Sequence, residues 1–282
     1  MTEVRVLPGT WGTVAASMRG ELREVRLPRT PAPARKAGGQ LRGIALHHYW
    51  SGLPWQLGTA AYWEALAQQT AAPTSHRLGR TLCEEVGACL LGGYGMPYVL
   101  ANAAFLHLRT AGVFDGARPW TAEEIERLLA EPLDVEGGAR RYRFPRQRAV
   151  RISEALKGMR RQAAPEGDLD LRDWLLKLPG IGPKTAGWIV RNHRDSDCVA
   201  IIDIHLIRAG TVAGIFSESW RPSRDYDLFE AAFIGWAGDA GLRASHLDAV
   251  IWGVLARDRQ AGRHILGLER SRRQALRAVW PV

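Results

Sequence analysis

The chain has 282 residues, 46% of them hydrophobic, with a formal net charge of +9 and a pI of about 10.0. This length and hydrophobic content allow one large or two modest globular domains and exclude a disordered chain. No run reaches the roughly 18 apolar residues that a membrane helix needs, and the N-terminus lacks the apolar core of a signal peptide. We therefore expect a cytoplasmic protein, associated with the nucleoid if it is bacterial, and no membrane partner.

The excess of positive charge indicates a polyanionic partner, nucleic acid first, although a merely basic surface would have the same composition. Lysine is rare. Of the 38 basic residues four are lysines, at positions 36, 157, 177 and 184, which leaves 34 arginines (38 − 4). Arginine suits bidentate contacts to phosphate. The useful observation is that one of the four lysines lies in the most distinctive motif of the chain.

Metal chemistry is not indicated by the cysteines and histidines. The three cysteines, Cys83, Cys89 and Cys198, are too scattered for a four-cysteine iron–sulfur or zinc site, and the eight histidines show no metal-ligand spacing. Cys83 and Cys89 follow one apolar helical pattern and are expected to be core thiols. We predict no cofactor, no iron–sulfur cluster and no structural metal.

The predicted elements follow in chain order. Residues 1–43 combine short extended pieces such as 25–27 with a Pro-, Ala- and Arg-rich stretch, which predicts a small irregular or β appendage and a flexible basic linker. From residue 44 onward the pattern is helical, so the fold class should be mainly α. The predicted helices span 60–69, 80–91, 96–111, 122–131, 147–161, 169–178, 183–192, 203–213, 227–237 and 245–259.

The sequence LPGIGPKTA at 178–186 predicts a very short turn between two helices. Gly180 and Gly182 permit positive φ angles and leave backbone amides bare around Ile181, and those amides at a helix N-terminus form an anion site for phosphate. Carbonyl groups of such a loop can also bind a monovalent cation. An ordinary helical hairpin is the alternative, but this sequence is far more specific. Lys184 lies at the start of the second helix, and Asp203 follows an apolar run 19 residues later (203 − 184).

LPGIGPKTA and the later AIIDIH resemble the helix-hairpin-helix DNA glycosylase superfamily, as found in endonuclease III and 8-oxoguanine DNA glycosylase. The resemblance covers roughly residues 80–260 and is strongest over 176–208. It implies a two-lobed helical fold, with one lobe at 77–195 and a second formed by 44–76 and 196–282. It also implies a monomer acting on double-stranded DNA.

In this superfamily the lysine of the hairpin is the nucleophile and the aspartate assists it, and Lys184 and Asp203 match these positions. The resemblance thus implies a combined glycosylase and AP lyase. Independently, the positive end of a helix dipole disfavours the charge of an amine there, and we expect burial to favour the neutral, nucleophilic amine further. Asp203 can stabilise an oxocarbenium-like sugar. The alternatives are a phosphate contact for Lys184 and a helix N-cap for Asp203.

The absence of a four-cysteine loop after Cys198 shifts the resemblance towards 8-oxoguanine DNA glycosylase and base excision repair. The segment 245–252 resembles the helix that builds the base pocket there, with Asp248 as reader and Trp252 as stacking residue. A capping role for Ser245 with Asp248, and a core position for Trp252, are the alternatives. Trp188, on the same helical face as Lys184, stands where the family often has a smaller residue.

DNA opening requires a wedge and contacts to the opposite base. The segment 92–96 lies where the family places its intercalating loop, so Tyr94 is the predicted wedge and Met96 the reserve candidate. Arg140 and Arg141 resemble the loop that contacts the opposite base. His205 matches a position near the DNA backbone. A buried turn aromatic, a solvated basic loop and a helix-surface histidine are the respective alternatives.

Three functional hypotheses follow. The first is a glycosylase and lyase acting on 8-oxoguanine. The second is a glycosylase for another modified base, for example a hypermodified phage cytosine in defence, which Trp188 would suit. The third is a non-catalytic DNA-binding module, against which the pairing of Lys184 with Asp203 argues.

Overall fold

A computed structural model describes residues 20–28, 44–73, 77–93, 95–257, 260, 262 and 265. Within these residues the protein is mainly α-helical, as predicted, and it also has two two-stranded antiparallel sheets. The helices are α1 Ala60–Gln69, α2 Leu82–Leu91, α3 Tyr98–Thr110, α4 Ala122–Ala130, α5 Pro145–Arg161, α6 Asp168–Leu175, α7 Pro183–Arg194, α8 Ile204–Val212, α9 Tyr226–Asp239 and α10 Ala244–Arg257. The strands are β1 Leu22–Pro28, β2 Ile44–Trp50, β3 Leu133–Val135 and β4 Gly138–Arg140.

The chain divides into two compact units. One, here called the hairpin unit, comprises residues 74–199, and the other, here called the terminal unit, comprises residues 1–73 and 200–282. Across the described part of the chain, no helix is both long and apolar enough to span a membrane.

The hairpin unit is built around α2, which packs against α3, α5 and α7. The sequence of α2 is apolar on nearly every side, so residues 85–91 are all buried. Among them Glu85 accepts hydrogen bonds from the backbone N–H groups of Leu78 and Gly79, both at 2.9 Å, and from Asn192 Nδ2 at 2.8 Å. Burial raises the pKa of the Glu85 carboxyl. These bonds attach α2 to the C-terminal part of α7 and thereby fix the helix that follows the hairpin.

The terminal unit combines β1 and β2 with α1 and α8–α10, and α9 packs on β1. Glu64 is its buried acid. It accepts two hydrogen bonds from Arg23 Nη1, at 2.8 and 3.0 Å, and one from Trp236 Nε1 at 2.8 Å. A buried carboxylate needs such partners, since an unpaired charge in the core is costly. The three side chains therefore join β1, α1 and α9.

The helical pattern predicted from residue 44 onward is interrupted at two places by strands that the sequence did not reveal. Ile44–Trp50 is strand β2, paired antiparallel with β1. Its alternation is visible after the fact, since Tyr49 is buried and His48 is exposed. The second place is the β3–β4 hairpin, which turns at Glu136 and Gly137. Three-residue strands carry too little pattern to be recognised in a sequence.

The predicted helices are all present; α1 has the predicted bounds, and each of the others is shifted at one or both ends. Helix α4 begins with a capping box, in which the side chains of Thr121 and Glu124 each accept a hydrogen bond from the other residue's backbone N–H. The extended piece at 25–27 lies in β1, whereas residues 1–19 and the linker at 29–43 are outside the described residues. Cys89 is buried, as expected of a core thiol, and Cys83 is half-buried against the same core.

Candidate active site

The hairpin between α6 and α7 is fixed by two buried apolar side chains and one glycine. Leu178 and Ile181 are buried, and the N–H of Ile181 donates to the carbonyl of Leu178 at 3.2 Å. Gly180 has φ +83°, a region that disfavours side chains. A Cβ built there would lie 2.6 Å from Cδ of Arg151 on α5, so the arginine stem covers this glycine.

Gly182, the second glycine of the motif, is used differently. It is the N-cap of α7, has φ −99°, and has nothing within 4 Å of a Cβ built on it. It supplies no side-chain cap, and Pro183 has no N–H to satisfy. The first-turn amides of Lys184 and Thr185 therefore have no intrahelical partner. The result is an open backbone surface with N–H groups at a helix N-terminus, the arrangement that binds phosphate.

Lys184 lies in the first turn of α7, and its side chain is exposed. The burial that we expected for this amine is not observed in the protein without DNA. The reason is that α7 buries its other face, with Ala186, Ile189 and Val190 in the core. The amine is thus accessible to a large substrate such as DNA.

Trp188, one turn after Lys184, is half-buried and packs against the core of the hairpin unit. A Cβ built on Gly92 would lie 3.3 Å from its Cη2 atom, so the indole lies against the backbone at the end of α2. Gly92 also begins the predicted wedge loop. The tryptophan and this loop are therefore neighbours, and the absence of a side chain at position 92 allows their close approach.

Of the predicted wedge residues, Tyr94 lies outside the described residues. Met96 is half-buried and packs against the core of the hairpin unit. Gly95 is attached to residues 140–144, here called the basic loop, by Arg143, whose Nη1 donates to the carbonyl of Gly95 at 2.7 Å. Arg143 is a contact that was not predicted from the sequence. It belongs to the basic segment RRYRF, but the sequence alone does not distinguish it from the two other arginines of that segment.

The basic loop differs from its prediction in one respect. Arg140 is the last residue of β4 rather than a loop residue, and Arg141 follows it, both with exposed side chains. Tyr142 between them and Arg143 is buried, and its hydroxyl donates to the carbonyl of Leu91 at 2.5 Å. Burial raises the pKa of Tyr142 to about 12. The tyrosine thus holds the arginines to the end of α2.

In the terminal unit, Asp203 is the N-cap of α8. Its Oδ1 accepts hydrogen bonds from the N–H groups of His205 at 2.7 Å and Leu206 at 2.9 Å. The capping alternative is therefore correct, and it leaves a catalytic role open. Among the described residues, no hydrogen bond or ion pair engages Oδ2, and the side chain is only half-buried. One oxygen orients the carboxylate, and the other is available.

The segment before Asp203 is held by two side chains of α9. Glu230 accepts a hydrogen bond from the N–H of Ala200 at 3.0 Å, and the Tyr226 hydroxyl donates to the Ala200 carbonyl at 2.9 Å. The same hydroxyl accepts from the N–H of Ile202 at 3.1 Å. The apolar run belongs to no helix or strand, and these side chains of α9 satisfy its backbone groups at Ala200 and Ile202. This arrangement fixes the position of the cap that follows.

The other predicted residues of the terminal unit lie on α8 and α10, which pack together. His205 is half-buried in the first turn of α8. Asp248 is buried in α10, whereas Trp252 is 40% exposed, so Trp252 is not a core residue. Since α10 begins at Ala244, Ser245 lies inside the first turn and is not the N-cap.

The structure thus brings the predicted residues together in two groups. In the hairpin unit, the hairpin amides, Lys184 and Trp188 lie on α7 and on the turn that leads into it. Gly92, at the end of α2, lies against Trp188, and Arg143 of the basic loop bonds to Gly95. In the terminal unit, Asp203 and His205 share the start of α8, next to the helix with Asp248 and Trp252. Within the described ranges, no three or more His, Cys, Asp or Glu side chains form a group that could hold a metal.

Residues 120–242 match the family model described as 8-oxoguanine DNA glycosylase. This range includes the hairpin, Lys184, Asp203 and the basic loop, but neither the predicted wedge loop nor α10. Among curated proteins none matches the chain. A solved structure similar to this chain is the 8-oxoguanine DNA glycosylase of Thermotoga maritima, with 20% identity, a TM-score of 0.46, and coverage of 70% of this chain and 86% of that one.

The family match falls on the segment where the geometry presents an exposed lysine at an open helix N-terminus and a half-buried aspartate with one oxygen available. Residues 120–242, somewhat less than half of the chain, are thus similar to the 8-oxoguanine DNA glycosylase family.

Proposed function

We propose that the protein is a bifunctional enzyme, a DNA glycosylase with AP lyase activity, which excises a damaged base from double-stranded DNA during base excision repair and works as a monomer. The observation that carries this proposal is the position of Lys184. Its exposed amine lies in the first turn of α7, directly after the open backbone of Gly182. A phosphate bound by the hairpin amides would bring a neighbouring sugar to that amine.

The proposed reaction has two stages. The neutral amine of Lys184 attacks C1′ of the flipped nucleotide, the bond between C1′ and the base breaks, and the base leaves with a proton. Opening of the sugar ring leaves a Schiff base between Lys184 and C1′. Removal of a proton from C2′ then breaks the bond between C3′ and its oxygen, so the strand is cut, and hydrolysis frees the lysine.

Asp203 has the second role in the proposal. As the bond to the base weakens, positive charge develops on the sugar, and a carboxylate held in advance stabilises that charge without reorganisation. The two hydrogen bonds to Oδ1 fix the orientation of the carboxylate, while Oδ2 has no hydrogen-bond partner among the described residues. Nothing in this proposal needs a metal, although carbonyls of the hairpin are suited to a monovalent cation that bridges to phosphate.

For the base, we propose 8-oxoguanine first, read by Asp248 and stacked on Trp252 and Trp188. Trp252 has the exposure that stacking requires, since two fifths of its side chain is accessible. Trp188 favours a second candidate. Its indole packs against Gly92, which limits its movement towards α2. A base-binding slot lined by this indole would be flat and unusual. A modified cytosine, such as a hypermodified phage base, is therefore the second substrate class.

Single-turnover excision on a panel of duplexes, each with one modified base, tests the proposal. The panel contains 8-oxoguanine opposite each normal base and a set of modified cytosines, with borohydride added in parallel. We expect release of 8-oxoguanine and a covalent adduct with DNA. Activity confined to the cytosines would replace the substrate and keep the mechanism, whereas base release without any adduct would refute the lyase step.

A further inference from the structure

The side chain of Arg151 lies against the hairpin. A Cβ built on Gly180 would meet three atoms of its stem, Cδ at 2.6 Å, Cγ at 2.8 Å and Cβ at 3.2 Å. These atoms belong to the part of the side chain nearest its own helix. The stem of Arg151 therefore lies against the turn at Gly180. Arg151 comes from α5, outside the hairpin motif, so the motif alone does not reveal this contact.

The charge of this arginine is not used within the described part of the chain. No hydrogen bond or ion pair engages its guanidinium there. Glu154, the acid one turn further along α5, pairs instead with Lys157, with 2.7 Å between Nζ and Oε1. A half-buried arginine whose stem is fixed has already lost much of its rotamer freedom, so a later contact costs little further entropy.

Two further cations flank the same turn. Lys177 precedes the hairpin and Lys184 follows it, and both side chains are exposed. Two of the four lysines of the chain are thus within four residues of the hairpin glycines. The local charge is strongly positive, and nothing described in the fold neutralises it, which is the condition expected where the partner supplies the negative charge.

We propose that Arg151 is a DNA-phosphate contact that works together with the hairpin amides, so that the backbone is held from two elements, α5 and α7. The amides bind one phosphate at the helix N-terminus, and the guanidinium binds the same or the adjacent phosphate in a bidentate manner. The inference rests on the proposed function, since it takes DNA as the ligand of the hairpin. It adds a residue that fixes the register of the strand and not one that performs chemistry.

The test compares Arg151→Met with Arg127→Met. Methionine keeps an unbranched apolar stem over Gly180 and removes the charge, so the hairpin should retain its packing. Arg127 is an exposed arginine on α4 whose helix buries Ile125 and Leu129 on its other face. It serves as the matched control for the loss of one positive charge. Thermal unfolding of both variants verifies that neither has lost the fold.

Binding is measured by fluorescence anisotropy on a duplex with a tetrahydrofuran abasic analogue, at several salt concentrations. For Arg151→Met we expect the slope of log K against log salt to fall by about 0.9, the value for one phosphate contact on duplex DNA. Affinity should weaken by roughly the same factor for different sequences, because a phosphate contact carries no base information. Arg127→Met should keep the wild-type slope.

An unchanged slope in Arg151→Met, or an equal change in both variants, would overturn the proposal. Borohydride trapping at saturating DNA separates this result from a failure of the proposed function. If the wild type forms no adduct, the lyase chemistry is refuted, while the salt slopes still decide the role of Arg151. If the wild type and Arg151→Met form equal adduct once saturated, Arg151 acts in binding alone, as we infer.

Discussion

Substitution by alanine should affect the two glycines of the hairpin differently, lowering stability at Gly180 and weakening DNA binding at Gly182. Gly180 has φ +83° and is covered by the stem of Arg151, whereas Gly182 has φ −99° and open space around it. Gly180→Ala therefore perturbs the fold, and Gly182→Ala perturbs only what approaches from outside. The pair separates the conformational role of the motif from its binding role.

The magnitude for Gly180→Ala has three parts. A side chain in the left-handed region costs roughly 1–2 kcal/mol, and overlap with packed atoms at 2.6 Å adds roughly 1–3 kcal/mol. The lower entropy of the unfolded alanine chain returns roughly 0.4–1 kcal/mol. We expect a net loss of roughly 2–4 kcal/mol in the free energy of unfolding. For Gly182→Ala, a weaker N-cap and that same entropy gain nearly cancel, so we expect a change within roughly 0.5 kcal/mol.

Urea unfolding followed by tryptophan fluorescence measures both variants, and anisotropy on duplex DNA measures binding. Gly182→Ala should remain as stable as the wild type yet bind DNA about tenfold more weakly, because a methyl group displaces phosphate from the amides. The double variant Gly180→Ala with Arg151→Ala should recover the overlap cost but not the strain of the positive φ. Equal stability of the two single variants would refute this reading of the hairpin.

Three further predictions concern separate residues. Asp203→Asn keeps the N-cap of α8 and should slow base excision on the order of 10²-fold without loss of stability, whereas an excision rate near that of wild type would reduce Asp203 to a cap. Trp252→Ala should weaken binding of duplex with the modified base by roughly 1–3 kcal/mol, and unaltered affinity and discrimination would place the base pocket elsewhere. Tyr142→Phe should cost about 1–2 kcal/mol, because the Leu91 carbonyl loses its donor. The pKa of Tyr142 is raised from 10.0 to about 12, so the unfolded chain loses this proton first and stability falls as pH rises through that window. The variant should show a smaller alkaline loss in pH-dependent urea unfolding, and an identical loss would contradict the buried hydrogen bond.

The sequence predicted the helices of the fold because long amphipathic segments and caps carry a strong local signal. The capping box of Thr121 and Glu124 is an example, since two side chains three positions apart make both of its bonds. Strand β2 was not predicted because the adjacent histidines His47 and His48 interrupt the alternation of apolar and polar residues. What makes it a strand is its pairing with β1, a contact between segments that the local pattern does not contain.

The same division applies to the candidate site. The nine-residue hairpin motif identifies Lys184. Asp203 is identified by its place after an apolar run. Burial of the lysine was expected and is absent, because its exposure depends on which face of α7 the core takes. The contacts of Arg143 with Gly95 and of Arg151 with Gly180 join segments that are distant in sequence. Such contacts follow from tertiary packing alone.

The central claim is that Lys184 is the nucleophile, and peptide mapping of the trapped adduct tests it most directly. After borohydride reduction on an 8-oxoguanine duplex and nuclease digestion, trypsin should release residues 178–191 as one peptide, uncut at position 184 and heavier by the remaining sugar-phosphate. We expect this mass on that peptide and its loss in Lys184→Gln, which should still bind DNA within a few-fold of wild type. An adduct on the N-terminal amine or on Lys36, Lys157 or Lys177, or trapping that persists in Lys184→Gln, would contradict the account.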